Sequence, residues 1–299
     1  MVFNNLRSEK MKSTITPLEI LGNIVKKYSP DLSFSIFEIG AVPLEGQQEP
    51  FYKLAEIFPK SKISAFEVDD ALCADLNSKS NSNITYYPTA LGSRNGEQAF
   101  YETNASMCCS LYKPNDTFNS KYNNLEVVLL KSESTIKTTT LDTFIQENDI
   151  DTIDFIKIDV QGAELDIFKG GVNAMANTFF IVSEVEFVPL YIDQPLFGDV
   201  CQYFIKQGLM FHKFLGMEGR TLQPIVLQNN KNFGTQHMWS DAVFIKDICK
   251  ISSLSSDDLL KLSLLAFIYG STDLTYHCFQ FYDEREKTNI CDDFAKLGS

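Results

Sequence analysis

Residues 153–171, Ile-Asp-Phe-Ile-Lys-Ile-Asp-Val-Gln-Gly-Ala-Glu-Leu-Asp-Ile-Phe-Lys-Gly-Gly, constrain the fold of this chain more than any other segment. The alternating run Ile153–Val160 reads as a strong strand, and the segment after Gln161-Gly162 switches to a helix that stops at Gly170-Gly171. Short β-rich runs that alternate with amphipathic helical ones favour an α/β architecture with a parallel sheet. Polar residues then gather at the strand's carboxyl end, as Asp159, Gln161 and Glu164. In open α/β sheets that edge is where ligands bind.

The same alternation recurs along the chain. Strands are expected at 34–40, 62–68, 84–87, 98–101, 179–187, 209–215, 222–226 and 241–246, with a β pair over 126–130 and 135–139. Helices are expected near 47–58, 70–79, 141–147, 196–207, 254–269 and 283–297. In the first of these Phe51, Leu54, Ala55 and Phe58 recur at helical spacing, one apolar face that can pack on the sheet. Residues 103–124 form a long polar loop, of the kind that serves as a lid or binding loop. The fold class is therefore α/β: a mostly parallel Rossmann-like sheet with an antiparallel strand near its edge, plus C-terminal helices. The boundaries read as an N-terminal helical extension over 1–31, the α/β domain over 32–250 and a C-terminal helical extension over 251–299. Those last helices suit contacts in a homo-oligomer or a cover on the sheet.

Charge narrows the partners. Among 299 residues, 26 basic and 39 acidic side chains leave a net charge of −13, and only Arg7, Arg94, Arg220 and Arg285 are arginines. A phosphate backbone calls for a basic, arginine-bearing surface, so nucleic acid is not expected as a partner. No apolar run is long enough to span a bilayer, and the first residues lack the apolar core of a secretory leader, so a cytoplasmic location is expected. The seven cysteines include no C-x-x-C pair, and His212, His237 and His277 are scattered. No metal site is expected from them.

Three further strand ends line up with Asp159. Glu38-Ile-Gly-Ala-Val-Pro-Leu-Glu-Gly46 leaves the first strand, where Gly40 lets the backbone turn tightly and approach a ligand. Glu67 closes the second strand with Val68 beside it, 27 residues after Gly40, the place for an acid that accepts from ribose hydroxyls. Thr89-Ala-Leu-Gly92 follows the third strand, and Ala90 is small enough to admit a flat ring.

Residues 153–171 resemble the signature of the FkbM-type S-adenosylmethionine-dependent methyltransferases, which have the class I Rossmann-like fold. Phe37–Ala41, Ala65–Glu67, Thr89–Gly92 with Asn95–Glu97, Cys109–Leu111, Thr139–Asp142 and Trp239–Phe244 resemble the remaining motifs in the same order. The resemblance covers residues 34–246. It implies S-adenosyl-L-methionine as cofactor and a hydroxyl of a sugar, polysaccharide or natural product as methyl acceptor, a small molecule or glycan. It places Glu38, Gly40, Ala41, Gly46, Glu67, Val68, Ala90 and Asp159 around the cofactor. Asp159 is the candidate general base or orienting carboxylate and Gln161 its hydrogen-bonding neighbour. Glu184 and Glu186 are alternative bases, on one face of the next strand by alternation. Tyr101, Tyr112 and Tyr122 are expected to anchor the long loop rather than to stack on a sugar. The chain departs from the family where Val42-Pro43 replace a polar residue of the first loop, and Pro43 has no N–H to donate. A cofactor-free binding or scaffold protein is the alternative this departure supports. A nucleotide-dependent oxidoreductase is a more distant one, since the tight glycine fingerprint it needs is missing.

Overall fold

A computed structural model describes residues 16–41 and 49–298. Its strands are β1 Ser35–Ile39, β2 Lys62–Glu67, β3 Ile84–Pro88, β4 Ala90–Leu91, β5 Gly96–Thr103, β6 Leu130–Thr139, β7 Phe155–Ile158, β8 Phe180–Glu186, β9 Leu209–Phe214, β10 Glu218–Gly219 and β11 His237–Lys246. Its helices are α1 Pro17–Tyr28, α2 Tyr52–Ile57, α3 Asp70–Lys79, α4 Asp116–Asn119, α5 Leu141–Glu147, α6 Glu164–Lys169, α7 Phe197–Lys206, α8 Ser256–Ile268, α9 Thr272–Glu286 and α10 Ile290–Ala295. The chain divides into two compact units, 35–45 with 63–247, and 1–34 with 46–62 and 248–299.

The first unit is built on an eight-stranded sheet in the order β10-β11-β8-β7-β1-β2-β3, with β9 also pairing β11. The pairs β1–β7, β2–β3 and β7–β8 are parallel, and β11 runs antiparallel to β8, β9 and β10. This is the expected Rossmann-like arrangement with its antiparallel edge. The chain winds outward from β1 to β2 and β3, then returns to place β7 on the other side of β1. The strand order thus reverses between β1 and β7, and a crevice opens there at the carboxyl ends. Central strands read as continuous apolar runs because both faces are covered: Phe155, Ile156 and Ile158 are fully buried, as are Phe180, Ile181 and Val182.

A second, three-stranded sheet, β4-β6-β5, differs from the expected β pair. Residues 126–128 form a short 3-10 turn, and β6 runs unbroken from Leu130 to Thr139, antiparallel to β5 across its whole length. The threonine- and serine-rich sequence of β6 lacks the apolar alternation by which a strand is usually read, because most of its residues are exposed. Residues 222–226 are also not a strand; Leu222 makes an isolated bridge to Tyr122.

Gly170-Gly171 is there for close packing, not as a left-handed helix cap. Gly170 has φ of −79°, and a Cβ on it would lie 2.4 Å from the Gly92 carbonyl oxygen. A Cβ on Gly171 would meet Leu141 at 2.8 Å. Asn95 ties the same corner, accepting from the Thr140 N–H at 2.9 Å. The side chain of Asp142 accepts from the Ala174 N–H at 2.7 Å. The motif residues Thr89–Gly92, Asn95–Glu97 and Thr139–Asp142 therefore fix how α5 and α6 meet the strand ends.

The second unit is helical. Thr16 caps α1 through a reciprocal bond with Glu19, and Ile57 of α2 packs on Gly22, where a Cβ would come within 2.6 Å. Helices α8 and α9 form an antiparallel pair with buried Leu259, Leu262, Leu265, Cys278 and Phe279. The C-terminal part holds two helices, α9 and α10, where sequence periodicity gives one over 283–297; Lys287, at φ of 57°, ends α9. No helix among the described residues is long and apolar enough to cross a membrane.

Candidate active site

One cleft of about 950 Å³ runs along the carboxyl edge of the large sheet. Gly40, Glu67, Val68, Ala90, Asp159 and Gln161 all line it, so six of the residues singled out from sequence share one hollow. Glu38 lies deeper, 9% exposed on β1, where Lys157 is its register partner. Ala41 is packed among Ala65, Cys73 and Tyr86, and its N–H donates to the Phe66 carbonyl at 2.9 Å. It contributes backbone placement and no cleft surface. Gly46, Val42 and Pro43 lie outside the described residues.

Gly40 is required at its position. Its φ is +84°, and its N–H donates to the Phe66 carbonyl at 3.0 Å. A Cβ there would sit 1.9 Å from the carbonyl oxygen of Asp159. The tips of β1 and β7 are thereby held in backbone contact.

Glu67 ends β2 with its side chain turned back, accepting from the N–H of Val68 at 2.7 Å and of Asp69 at 3.2 Å through Oε1. Asp69 itself caps α3, accepting from the Leu72 N–H at 3.0 Å. The same cleft is lined by the apolar residues Leu72, Ala90, Leu91 and Ile136. An acid held in place in a cleft that also presents apolar residues fits a diol joined to a flat ring, which is the chemistry of an adenosyl group.

At the next strand ends the polar groups converge on Gln161. Its Nε2 donates to Asp159 Oδ1 at 2.9 Å and to Glu184 Oε2 at 2.8 Å. Its Oε1 lies 3.0 Å from the Tyr191 hydroxyl, which fixes the amide with its N–H groups toward the acids. Ser110, from the long loop, donates to the Gln161 carbonyl at 2.7 Å. Gln161 holds a left-handed backbone, φ 60°, followed by Gly162 at φ 95°. Backbone strain of this kind persists where surrounding bonds over-determine it.

Glu164 is buried beneath the turn, and its Oε1 accepts from the N–H groups of Val160 at 2.9 Å and Gly162 at 3.2 Å. Burial pushes this carboxyl up to about 7 against the opposing pull of those backbone donors. Burial, then the charge of Asp159, holds Glu184 well above the ordinary carboxylate range. Glu186 is raised in the same way, by burial and then by Glu164. Asp159, Glu164 and Glu184 offer oxygens within 4.8 Å of one another, a spacing that suits a cation. The Gln161 amide and the backbone N–H groups of Val160 and Gly162 donate to oxygens of the same three acids.

Sequence reasoning brought Asp159, Gln161 and Glu184 to one place but missed the groups that hold them. Tyr191 and Ser110 come from distant segments, and only the Cys109–Leu111 motif hinted at the second. Of the loop tyrosines, Tyr112 donates to Asp166 Oδ2 at 3.0 Å and Tyr122 bonds Gln236 Oε1 at 2.5 Å. Both act as anchors. Cys108 and Cys109 face the cleft, and burial raises the Cys108 thiol to about 11.

The chain is 26% identical over 184 residues to 2-O-methyltransferase NoeI of Sinorhizobium fredii (strain NBRC 101917 / NGR234), covering 60% of this chain and 74% of that one. Solved structures that align with it include an uncharacterized protein of Listeria monocytogenes serotype 4b, with 10% identity, TM-score 0.34, and 96% and 100% of the two chains covered. A SAM-dependent methyltransferase of Aquifex aeolicus aligns with 10% identity, TM-score 0.27, and 76% and 92% covered. The model of the methyltransferase FkbM domain matches residues 38–211, more than half of the chain. The chain belongs to the FkbM methyltransferase family.

Proposed function

We propose that this chain is an O-methyltransferase that uses S-adenosyl-L-methionine to methylate a hydroxyl of a sugar, polysaccharide or natural-product acceptor. The observation that carries this reading is the single cleft in which Glu67, Gly40 and Asp159 occupy three neighbouring strand ends. Glu67 would hold the ribose, Ala90, Val68 and Leu72 the ring, and the backbone at Gly40 the amino-acid part. When bound, the cofactor supplies an electrophilic methyl group.

The remaining work falls to the chain. Alcohol oxygen becomes a better nucleophile as its proton leaves, so a carboxylate within hydrogen-bond reach of that hydroxyl speeds the step. Asp159 would do this, and the Gln161 amide, which donates to Asp159 Oδ1, supports that reading. Glu184, raised well above the ordinary carboxylate range by burial and then by the charge of Asp159, is the second carboxyl group that Gln161 holds. Gln161 orients both acids. The NoeI relative, named as a 2-O-methyltransferase, supports oxygen as the acceptor atom.

The test is formation of S-adenosylhomocysteine from S-adenosylmethionine by the intact protein, followed by mass spectrometry with a panel of mono- and oligosaccharides. Asp159→Asn is expected to cut turnover on the accepted sugar by about 10²–10⁴-fold. Equal turnover by that variant would remove Asp159 from its assigned role.

A further inference from the structure

The cleft continues beyond the residues used so far. From Glu67 on β2 to Asp159 at the end of β7 is two strand spacings, about 10 Å. The large sheet then continues through β8 to β11 and β10, and the cleft follows it to Trp239 and Arg220. The proposed function, on which this inference rests, assigns the first stretch to the cofactor. The second stretch, another two spacings or about 10 Å to β11, is left for the acceptor.

Arg220 closes that end. It directly follows β10, and its guanidinium carbon stands 4.6 Å from the centroid of the Trp239 ring, the only tryptophan in the chain. Trp239 in turn packs against a buried cluster that includes Leu125, Leu190 and Tyr191. Backbone fit holds the arginine from beneath, since a Cβ on Gly234 would lie 2.4 Å from the Arg220 carbonyl oxygen. The side chain is only 16% exposed. One of its terminal nitrogens donates to the Gly219 carbonyl at 2.8 Å. It forms an ion pair at 3.6 Å with Glu218, a carboxylate that is more than half exposed. The Nε–H is buried and meets no acceptor among the described residues. An always-charged fork that is stacked on an indole and largely withdrawn from water suits a planar or tetrahedral oxyanion.

We propose that Arg220, supported by Trp239, recognises an anionic oxygen group on the acceptor, so that the acceptor class is a hydroxyl-bearing sugar that also carries a carboxylate or a phosphate. Arg220 is then a specificity-determining residue, about two strand spacings from Glu184 and three from Asp159, the acids that handle the hydroxyl. The acids at one end and the guanidinium at the other give the acceptor a single orientation.

Saturation-transfer NMR on the full chain with glucuronate, glucose 6-phosphate and glucose tests this. At least one anionic sugar is expected to bind ten times more tightly than glucose, and which one binds distinguishes carboxylate from phosphate. Arg220→Gln should lower that binding to the level of glucose, and Arg220→Lys should restore part of it. Glu218→Gln, which removes the competing acid at an exposed site, should tighten it at least threefold; this variant decides the matter if Arg220→Gln does not fold. Equal binding of all three sugars, or anionic binding unmoved by both Arg220→Gln and Glu218→Gln, would overturn the inference. Titration of S-adenosylhomocysteine separates the two readings: loss of that binding with Arg220-dependent sugar binding intact would defeat the proposed function and leave the role of Arg220 standing.

Discussion

Gly40 and Asp159 meet backbone to backbone: no Cβ fits on the glycine without entering the space of the aspartate's carbonyl oxygen, 1.9 Å away. The contact ties β1 to β7 where the strand order reverses. Gly40→Ala is therefore expected to destabilise the fold by at least about 1–2 kcal/mol from the left-handed backbone alone, and by more from the clash. Urea denaturation of the two proteins measures it, and equal midpoints would contradict this placement of Gly40.

Gln161 is expected to act on turnover and not on cofactor affinity. Its amide serves Asp159 and Glu184 at once, and hydrogen bonds to charged groups are worth about 1.5–3 kcal/mol. Gln161→Asn tolerates the left-handed backbone but is one methylene too short for both acids. Turnover should fall about ten- to a hundredfold, while the KM for S-adenosylmethionine stays within about twofold. A change confined to that KM would place Gln161 on the cofactor side.

The buried acids make stability pH-dependent in a direction opposite to that of a salt-bridged carboxylate. Glu164 moves from an ordinary value of 4.5 to about 7 in the folded chain. Between those values the folded state binds more protons than the unfolded one, so its stability is full below 4.5 and is lost as the pH rises through 7. A shift of this size corresponds to about 3 kcal/mol. Glu164→Gln keeps an oxygen for the Val160 and Gly162 N–H groups and removes the charge. Calorimetry from pH 5 to pH 8 should show the wild type losing melting temperature as pH rises, and Glu164→Gln losing less. Parallel curves would contradict the burial of this charge.

Most of the large sheet was legible because its strands are buried on both faces and so read as apolar runs, as 153–160 and 179–187 do. The acids at strand ends were legible for the converse reason, that Glu67 and Asp159 interrupt such runs. Strand β6 was misread because it is exposed and carries Ser and Thr in place of an apolar face. The glycine pair 170–171 was legible as the end of α6, with Gly170 at its C-cap, whereas its close approach to Gly92 and Leu141 is a tertiary property no local pattern encodes. Trp239 was legible as the start of the closing-strand motif, and Arg220 only as one of four arginines. Their contact needs a two-residue strand, β10, too short to leave a periodic signal.

Isothermal titration of S-adenosylmethionine into the intact chain, with Glu67→Ala alongside, bears most directly on the central claim that one crevice holds an adenosyl group between Glu67 and Asp159. The account predicts saturable binding at one site and at least a tenfold loss of affinity in the variant, about 1.4 kcal/mol or more. Absence of heat at millimolar cofactor, or identical affinity in both proteins, would contradict it.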